Sequence, residues 1–578
     1  ANKVFKSVDR GNTWQVISPD LTQQIDRNKL PVMEQVWSLD AVMKNQSTTI
    51  YGNIVALDES RIKKGLIYIG TDDGLIQVTE DDGNTWRKIS TFPGVPKDTY
   101  VNMVCASKYD ENTVYAVFNN HKRGDFKPYV LMSKDKGKSW TSISSNLPAR
   151  GSTFCFIQDF LDKDLLFVGT EFGVFTSIDH GNNWTQLKNG LPTIPVRDMD
   201  IQEREHDLVL ATFGRGFYVL DNYAPLRAVK TIASSTSHYL FDIKDAKLFV
   251  PSSPLGGRGN ASQGAQYYAA KNPDFGATFS LYLGSEFKSL KSERQKKEKE
   301  LEKKKEANFY PSYEELRKEK DQGVNLVIWT VKDERGVEVY RSTSKAKKGT
   351  QTHVWNLRLT GSSPVRLQKE TVGRYSLPDN GALVPAGKYN LSVYLLTENN
   401  EVKTIEDNKP FNVNLLPIHS TPGEQPKEVL AFHNELLEMN RKVAGSSSLL
   451  GEYKEKVRYL EAILLNYPTA DLTLLKEQRS LAQALNKLSR ELNGDDILPT
   501  LEMETPPSLS DRISTIKWQR YGTTSAPTQT QIDGLQICTE EYATFRPELD
   551  KAIKAINALE SKMLELGIPF TPNKDENW

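Results

Sequence analysis

The stretch GLIYIGTDDGLIQVTEDDGNTW, residues 65–86, decides the fold of this chain. Two short apolar runs, LIYIG and LIQV, flank the turn residues Asp72, Asp73 and Gly74, which is typical of a β-hairpin. The second run leads into TEDDGNTW, residues 79–86, an octet of the form S/T-x-D-x-G-x-x-W. A hairpin followed by such a turn predicts an antiparallel sheet.

The octet recurs three more times, as SVDRGNTW (7–14), SKDKGKSW (133–140) and SIDHGNNW (177–184). The repeated aspartates lie about 40–70 residues apart, which is the spacing of propeller blades with loops of varying length. Residues 208–221, LVLATFGRGFYVLD, repeat the strand pair without an octet. Residues 1–227 are therefore predicted to be the C-terminal blades of an Asp-box β-propeller.

Each residue type that recurs in the four octets has a structural role. The aspartate accepts hydrogen bonds within its own turn, the glycine adopts positive φ, and the tryptophan covers the hairpin. Because every blade shares these residues, we interpret them as folding residues rather than catalytic ones. They are Asp9, Gly11, Trp14, Asp81, Gly83, Trp86, Asp135, Gly137, Trp140, Asp179, Gly181 and Trp184.

These repeats resemble the sortilin-like, BNR-repeat (Asp-box) proteins of Bacteroidota, which are often labelled glycosyl hydrolases. The strings that carry the resemblance are residues 65–86, 119–140, 165–184 and 208–227. In the last of these, Phe213 stands where the family usually has a histidine. The resemblance implies export to the periplasm or cell surface, and its hydrolase label rests largely on the shared Asp boxes.

A second class of turn connects the second and third strands of each repeat and must emerge at the opposite end of the blade from the octets. We call the residues of these turns the rim, and a mixed-charge rim suits a polar ligand, a peptide or a partner protein. Solvated turns without a ligand are the alternative. The predicted rim residues are Asp72, Asp73, His121, Arg123, Asp125, Lys127, Glu171 and Arg215.

Composition limits the other classes of function. The formal net charge is zero, so the chain has no global field that would attract nucleic acid. Three scattered cysteines give neither a disulfide framework nor a zinc pattern, and Cys105 and Cys155 are predicted to be core residues. No apolar run approaches the length of a transmembrane helix. The sequence predicts no metal and no cofactor; a calcium ion at Asp72 and Asp73 is the less favoured alternative.

Residues 228–418 show alternating strand patterns that predict an immunoglobulin-like β-sandwich with Trp329 and Trp355 in its core. Residues 288–323, dense in lysine and glutamate, predict a charged helical insertion within it. Residues 419–578 carry apolar stripes at helical spacing, which predict a helical bundle. We expect a helical hairpin over residues 429–464 and loops over 497–512 and 521–531.

No catalytic constellation stands out, so the sequence favours a non-catalytic, extracytoplasmic scaffold that binds a protein or other ligand, within a cell-envelope or outer-membrane assembly. A peptide or a glycan could be the ligand. The alternative is a glycoside hydrolase or carbohydrate-binding protein with a site in the propeller channel, since two rim carboxylates could form the required pair. The chain starts inside a repeat, which predicts a longer precursor; a lipid anchor in that upstream region stays open.

Overall fold

A computed structural model describes residues 1–46, 50–235, 238–251, 270, 272–365, 367, 378, 380–416 and 426–567. The described chain is mainly β, with many antiparallel sheets and several helices. It forms two compact units, Ala1–Thr236 and Ser237–Trp578.

The first unit contains five sheets that follow one another along the chain. Sheet 1 has two strands, β1 (Phe5–Lys6) and β2 (Gln15–Val16). Sheet 2 has β3 (Ile54–Glu59), β4 (Ile67–Thr71), β5 (Ile76–Thr79) and β6 (Arg87–Ile89). Sheet 3 has β7 (Tyr100–Ala106), β8 (Val114–Asn119), β9 (Tyr129–Ser133) and β10 (Thr141–Ser142). Sheet 4 has β11 (Thr153–Gln158), β12 (Leu166–Thr170), β13 (Gly173–Ser177) and β14 (Thr185–Leu187), and sheet 5 has β15 (Val196–Gln202), β16 (Asp207–Thr212) and β17 (Phe217–Leu220).

Every strand of these sheets pairs antiparallel with its neighbour in sequence. In sheets 2, 3 and 4 the octet forms the turn between the third and fourth strands. The rim turns join the second strand to the third, at the other end of each sheet, because successive turns of a meander alternate between its two ends. Helix α1 (Val229–Ser235) ends the unit.

The apolar residues of the middle strands are buried between neighbouring sheets. Tyr115 of β8 stacks on Phe156 of β11, with ring centroids 4.5 Å apart. Phe167 of β12 meets Tyr223 edge to face at 5.3 Å. Middle strands covered on both faces explain the continuous apolar runs in the sequence, where strands with one exposed face would alternate.

In the second unit, sheet 6 has β18 (His238–Leu240), β20 (Ala277–Leu283) and β23 (Gly349–Trp355). Sheet 7 has β19 (Ala246–Leu248), β21 (Leu326–Asp333), β22 (Glu338–Lys345), β26 (Gly387–Leu396) and β27 (Val402–Leu415), and β24 (Arg358–Thr360) pairs with β25 (Asn380–Leu383). Trp329 and Trp355 are fully buried in the core between sheets 6 and 7. An immunoglobulin-like topology stays a prediction.

Two charged helices, α2 (Leu290–Lys304) and α3 (Tyr313–Asp321), lie within the predicted insertion. Neither contains a buried residue. Arg294 of α2 joins them by an ion pair with Glu319, 2.6 Å from Nε to the carboxylate. The lysine-rich and glutamate-rich sequence therefore forms solvated helices tied by side-chain charges.

Four further helices share one apolar core: α4 (Pro426–Asn466), α5 (Leu474–Asn493), α6 (Leu509–Tyr521) and α7 (Gln529–Glu565). The predicted hairpin over residues 429–464 is wrong, because α4 runs through the whole stretch. The small residues 444–448 resemble a turn, but Val443 and Leu450 on either side are both buried in the same core, which an unbroken helix allows. Among the described residues, no helix is long and apolar enough to cross a membrane.

Helix α6 begins within the predicted loop over residues 497–512. Ser508 and Asp511 form a capping box at its start, in which each side chain accepts a hydrogen bond from the other residue's backbone N–H. Leu509, Ile513 and Ile516 are buried in the shared core. This short apolar stripe after a capping sequence was the signal that the prolines before it obscured.

Candidate ligand-binding rim

The four octets fold into nearly identical turns. In the third, the Asp135 carboxylate accepts hydrogen bonds from the Ser139 backbone N–H at 2.8 Å and from the Ser139 and Ser133 hydroxyls at 2.6 and 2.7 Å. The Ser133 hydroxyl oxygen in turn accepts the Gly137 N–H at 2.8 Å. The Trp140 indole N–H donates to the Gly137 carbonyl at 3.1 Å. The aspartate, serine and tryptophan side chains of the octet thus make these hydrogen bonds within the turn itself.

These hydrogen bonds stabilise the ionised form of the octet aspartates and so lower their pKa values. In Asp9 the Thr13 backbone and hydroxyl, followed by Ser7, lower the carboxyl pKa to about 2. In Asp135 burial raises the pKa, but the hydrogen bonds from Ser139 and Ser133 outweigh it and bring the value to about 2. The octet carboxylates therefore remain ionised and hydrogen-bonded at neutral pH, which does not suit a general acid.

The tryptophans differ in how far they are covered. Trp184 is 4% exposed, and its indole N–H donates to the Ile143 carbonyl at 2.7 Å, where the other three donate within their own turn. Trp14 is 64% exposed, because sheet 1 offers only two strands to cover. Trp14 still lies against its own turn, because its indole N–H donates to the Gly11 carbonyl at 3.1 Å.

At the rim end, the first strand of each of sheets 2 to 5 has a β-bulge, at its second residue in sheets 2, 4 and 5 and at its third residue in sheet 3. The bulged residue has no partner opposite it, and such an irregularity changes the direction of a side chain. The four bulge residues are Val55, Asn102, Phe154 and Arg197. Sheets that otherwise repeat thus place four different side chains at corresponding bulges.

The bulge residues contact one another and the rim. The Asn102 side-chain amide donates to the Phe154 carbonyl at 2.6 Å. The Arg197 guanidinium lies 3.9 Å from the centroid of the Phe154 ring and 5.3 Å from that of Phe213 in the last rim turn. The His121 ring meets Phe154 edge to face at 6.5 Å. A cluster of aromatic and cationic side chains therefore spans sheets 3, 4 and 5, with the buried Phe154 ring beneath the exposed Arg197.

The first rim turn has a different character, since its carboxylates bond inward. Asp72 accepts the Gly52 and Asn53 backbone N–H groups at 3.0 and 2.6 Å. Asp73 is fully buried, and its carboxylate accepts the Gln23 backbone N–H at 2.7 Å and the Thr71 hydroxyl. Asp73 was predicted as a rim residue, but it is a structural residue that a ligand cannot reach.

Asp125, in the second rim turn, is also engaged. Its carboxylate accepts the Tyr129 hydroxyl at 2.6 Å and the Asn120 amide at 3.2 Å. Burial raises the pKa of Asp125, but these hydrogen bonds outweigh burial and lower it overall. Lys127 in the same turn is exposed, and its backbone N–H donates to Asp125 at 3.3 Å.

The remaining predicted rim residues, Arg123, Glu171 and Arg215, lie in the second, third and fourth rim turns. The Arg123 guanidinium donates to the Lys97 carbonyl at 2.9 Å. Burial raises the pKa of the Tyr51 hydroxyl, and the positive charge of Arg123 acts in the opposite direction. Glu171 lies half-buried in the third rim turn, and Arg215 is exposed in the fourth.

His121 links the second and third rim turns. Burial, and after it the charges of Arg197 and Lys122, lower the pKa of the His121 imidazole, while Glu171 acts in the opposite direction. Lys122 lies over the Tyr100 ring, 5.3 Å from its centroid. At neutral pH the imidazole is therefore uncharged and the positive charge is carried by arginine and lysine.

Sequence reasoning found the rim turns but missed their neighbours on the first strands, above all Tyr100 and Phe154, and gave Arg197 no role. A signal existed: these residues occupy the first or second position of the first strand of sheets 3, 4 and 5. Recognising it required the strand register, because a bulge becomes visible only once the pairing is known. Among the described residues, no group of three or more His, Cys, Asp or Glu side chains could hold a metal ion.

No protein-family model matches the sequence, and no curated protein matches it significantly. Solved structures do match it. The chain is similar to YCF48 bound to a D1 peptide, with 18% identity, a TM-score of 0.23, and coverage of 33% of this chain and 58% of that one. It is similar to an ancestral GH74 enzyme, with 11% identity, a TM-score of 0.28, and coverage of 70% and 43%.

A third similar structure is the extracellular domain of a putative hybrid two-component system from B. thetaiotaomicron, with 10% identity and a TM-score of 0.22. That match covers 65% of this chain and 39% of the other. In all three cases this chain spans less than two thirds of the matched protein: 58%, 43% and 39%.

Proposed function

We propose that the first unit is a set of β-propeller blades whose rim binds a carboxylate-bearing peptide segment of a partner protein, without catalysis. The observation that carries the proposal is the stack of Arg197 on Phe154, which holds a guanidinium at the rim over an aromatic ring. Arginine and aromatic side chains are the residue types that most often dominate the energy of protein interfaces.

The distribution of charge favours an acidic partner. Across sheets 3 to 5 the rim carries Lys122, Arg123, Lys127 and Arg215, with Arg197 beside it on β15, against Asp125 and Glu171. The Asp125 carboxylate is occupied by Tyr129 and Asn120. A peptide carboxylate would therefore meet donors that have few internal acceptors, and arginine binds carboxylates through two parallel hydrogen bonds.

The same geometry disfavours the glycoside hydrolase alternative. A hydrolase needs two carboxyl groups that reach the substrate, one of them a proton donor. Asp73 is buried, Asp72 accepts the backbone N–H groups of Gly52 and Asn53, and Asp125 accepts the Tyr129 hydroxyl. Glu171 is therefore the freest of the four predicted carboxylates. The resemblance of the repeats to exported BNR-repeat proteins further supports a binding role outside the cytoplasm, in a cell-envelope assembly.

An array of short peptides, probed with the full chain, tests the proposal. We expect acidic peptides to bind better than basic or neutral ones, and binding to weaken in the Arg197→Ala variant. Arg204→Ala is the matched control, because Arg204 lies at the opposite end of sheet 5, on the β15–β16 turn, with its side chain 79% exposed. Hydrolysis of a glycan panel that Glu171→Gln abolishes would instead establish the enzyme.

A further inference from the structure

A small cavity in the second unit lies between strand β25 and helices α4 and α6. Asn380 and Ala382 of β25, His433 of α4, and Lys517 and Arg520 of α6 line it. The centre of a water molecule can occupy a volume of about 20 Å³ inside it. For a compact cavity, that corresponds to a radius of roughly 3 Å once the water radius is added, which admits one small ion but no sugar or nucleotide.

Arg520 brings a positive charge into this buried place. Its side chain is 2% exposed; Nε–H donates to Nε2 of His433 at 3.2 Å, and the two terminal nitrogens donate to the carbonyls of Ala526 and Ser525. Each terminal nitrogen carries two N–H groups, so one on each remains for another acceptor. Burial lowers the pKa of Arg520, and no carboxylate in the described ranges forms an ion pair with it.

His433 presents an unused donor beside that charge. Since Nε2 accepts from Arg520, the proton of the neutral imidazole lies on Nδ1. Nδ1 is buried and has no hydrogen-bond partner. Burial, and then the charge of Arg520, lower the His433 pKa to about 4, so the ring is neutral at pH 7. A buried N–H without an acceptor destabilises a fold unless something fills the place.

A second guanidinium lies close by. Arg358 is 8% exposed and packs over the Tyr521 ring, 3.6 Å from its centroid, while donating to the Tyr521 and Gly381 carbonyls at 2.9 and 3.3 Å. Like Arg520, it pairs with carbonyl dipoles rather than with a carboxylate of the described chain. Buried positive charge is costly until an anion compensates it.

We propose that this cavity binds one small oxyanion of the size of inorganic phosphate, which accepts hydrogen bonds from His433 Nδ1–H and from Arg520. Lys517 adds a second cation to the lining, and its ammonium also donates to the Asn440 side-chain oxygen at 3.2 Å. An oxyanion has acceptors pointing in several directions, which matches donors that arrive from α4 and α6. Water would satisfy the N–H of His433 but would leave the charge of Arg520 uncompensated.

Histidine-selective labelling and NMR of the full chain tests the proposal directly, because the chain has only seven histidines. The His433 signal is identified by its loss in His433→Gln. We expect sodium phosphate to shift this signal saturably, relative to sodium chloride at equal ionic strength, with sulfate and acetate titrated to define the preferred oxyanion. A His433 signal that responds identically to all four salts, or to none, would overturn the proposal.

A cavity-filling variant separates binding from folding. Ala382→Leu places a larger side chain at the cavity, and Ala431→Leu places the same side chain at an exposed position of α4. Since a ligand that binds the native state raises its melting temperature, phosphate should stabilise the wild type and Ala431→Leu but not Ala382→Leu. An unchanged phosphate effect in Ala382→Leu would contradict the site.

If Ala382→Leu does not fold, Lys517→Gln takes its place, with the exposed Lys487→Gln as control. We expect phosphate affinity to fall about tenfold in Lys517→Gln, which corresponds to about 1.4 kcal/mol. Equal affinities in both lysine variants would exclude Lys517 and this cavity as the binding place.

Discussion

Arg197 and Phe154 occupy the same bulge position of two neighbouring strands, and the Arg197 guanidinium packs over the Phe154 ring at 3.9 Å. Phe154 is 3% exposed, whereas Arg197 is exposed. One bulge therefore supplies a buried aromatic platform and the next supplies a charged group fixed upon it. A repeated backbone irregularity here produces two side chains that act together.

A buried ion pair is predicted to hold the end of the first unit in place. Asp159 is fully buried and accepts hydrogen bonds from Arg227 Nη2 at 2.6 Å and Nε at 2.9 Å, and from the Tyr223 hydroxyl. Replacing Asp159 by leucine should lower the free energy of unfolding by about 3–5 kcal/mol, because Arg227, whose side chain is 17% exposed, then lies in a mostly covered place without its carboxylate partner. Urea unfolding followed by tryptophan fluorescence measures this change.

The double variant Asp159→Leu/Arg227→Leu should lose less stability than the sum of the two single changes, since neither charge is left behind. Asp200→Leu, at an exposed position of β15, is the control and should have little effect. Strict additivity of Asp159→Leu and Arg227→Leu would mean that the two side chains do not interact.

Close packing between sheets 4 and 5 requires a glycine at position 169. A Cβ atom there would lie 2.3 Å from Cys155 Sγ and 2.8 Å from the Val196 carbonyl oxygen. We expect Gly169→Ala to cost about 1–3 kcal/mol of unfolding free energy. Adding Cys155→Ala should recover part of the loss, because it removes the sulfur but not the carbonyl.

Gly151→Ala is the matched control for that experiment. A Cβ at Gly151 would meet its nearest neighbours at 3.6 Å, which is ordinary contact. Its urea midpoint should stay close to that of the wild type. If Gly151→Ala and Gly169→Ala were equally destabilising, the effect would come from the backbone and not from contact between the sheets.

The third octet predicts a specific dependence of stability on acid. The Asp135 pKa is about 2 in the folded chain against an ordinary value of 3.8, so its stabilising effect is complete above about pH 4 and is lost as the pH falls through 2. Asp135→Asn should be less stable than the wild type at pH 6, and the difference should close between pH 4 and pH 2. Urea midpoints across this range measure it.

The first octet offers a comparison for Asp135. Asp9 makes the same hydrogen bonds, but its turn belongs to a two-stranded sheet with an exposed tryptophan. Asp9→Asn should therefore change the urea midpoint less than Asp135→Asn. A difference between wild type and Asp135→Asn that persists unchanged at pH 2 would show that the carboxylate charge is not what stabilises the turn.

The three cysteines should be unreactive in the native protein. All are free thiols; burial raises the pKa of Cys538 to about 11 and that of Cys105 to about 12, and Cys155 is 2% exposed. Because the thiolate is the reactive form, Ellman's reagent at pH 8 should label them only after unfolding. Rapid labelling of a native thiol would mean that the core around it opens.

The sequence predicted the antiparallel sheets because the octet and the hairpin signals are local. Apolar runs also located β20, β21 and β26 and the helical pattern that follows them. The hairpin expected over residues 429–464 is one helix, and this helix makes contacts far along the chain: the Ser446 and Tyr542 hydroxyls lie 2.9 Å apart, the latter on α7. Such a contact, between residues 96 positions apart, is not visible in the local pattern.

The candidate site was predictable only in part. Turn chemistry marked the rim loops, yet it could not distinguish Asp73, whose carboxylate is buried under Gln23, from exposed rim residues. Nor could it single out Phe154 and Arg197, since their position depends on a bulge in a strand pairing. Long-range pairing and burial, which no local pattern contains, decide which polar residues face a ligand.

The central claim is that the rim binds acidic peptides through Arg197. Its most direct test is the dissociation constant of the strongest peptide from the array, measured by fluorescence anisotropy with the full chain and its variants. We predict a dissociation constant at least about tenfold higher for Arg197→Ala, equivalent to about 1.4 kcal/mol, and an unchanged value for Arg204→Ala. Equal constants for wild type, Arg197→Ala and Arg204→Ala would contradict the claim.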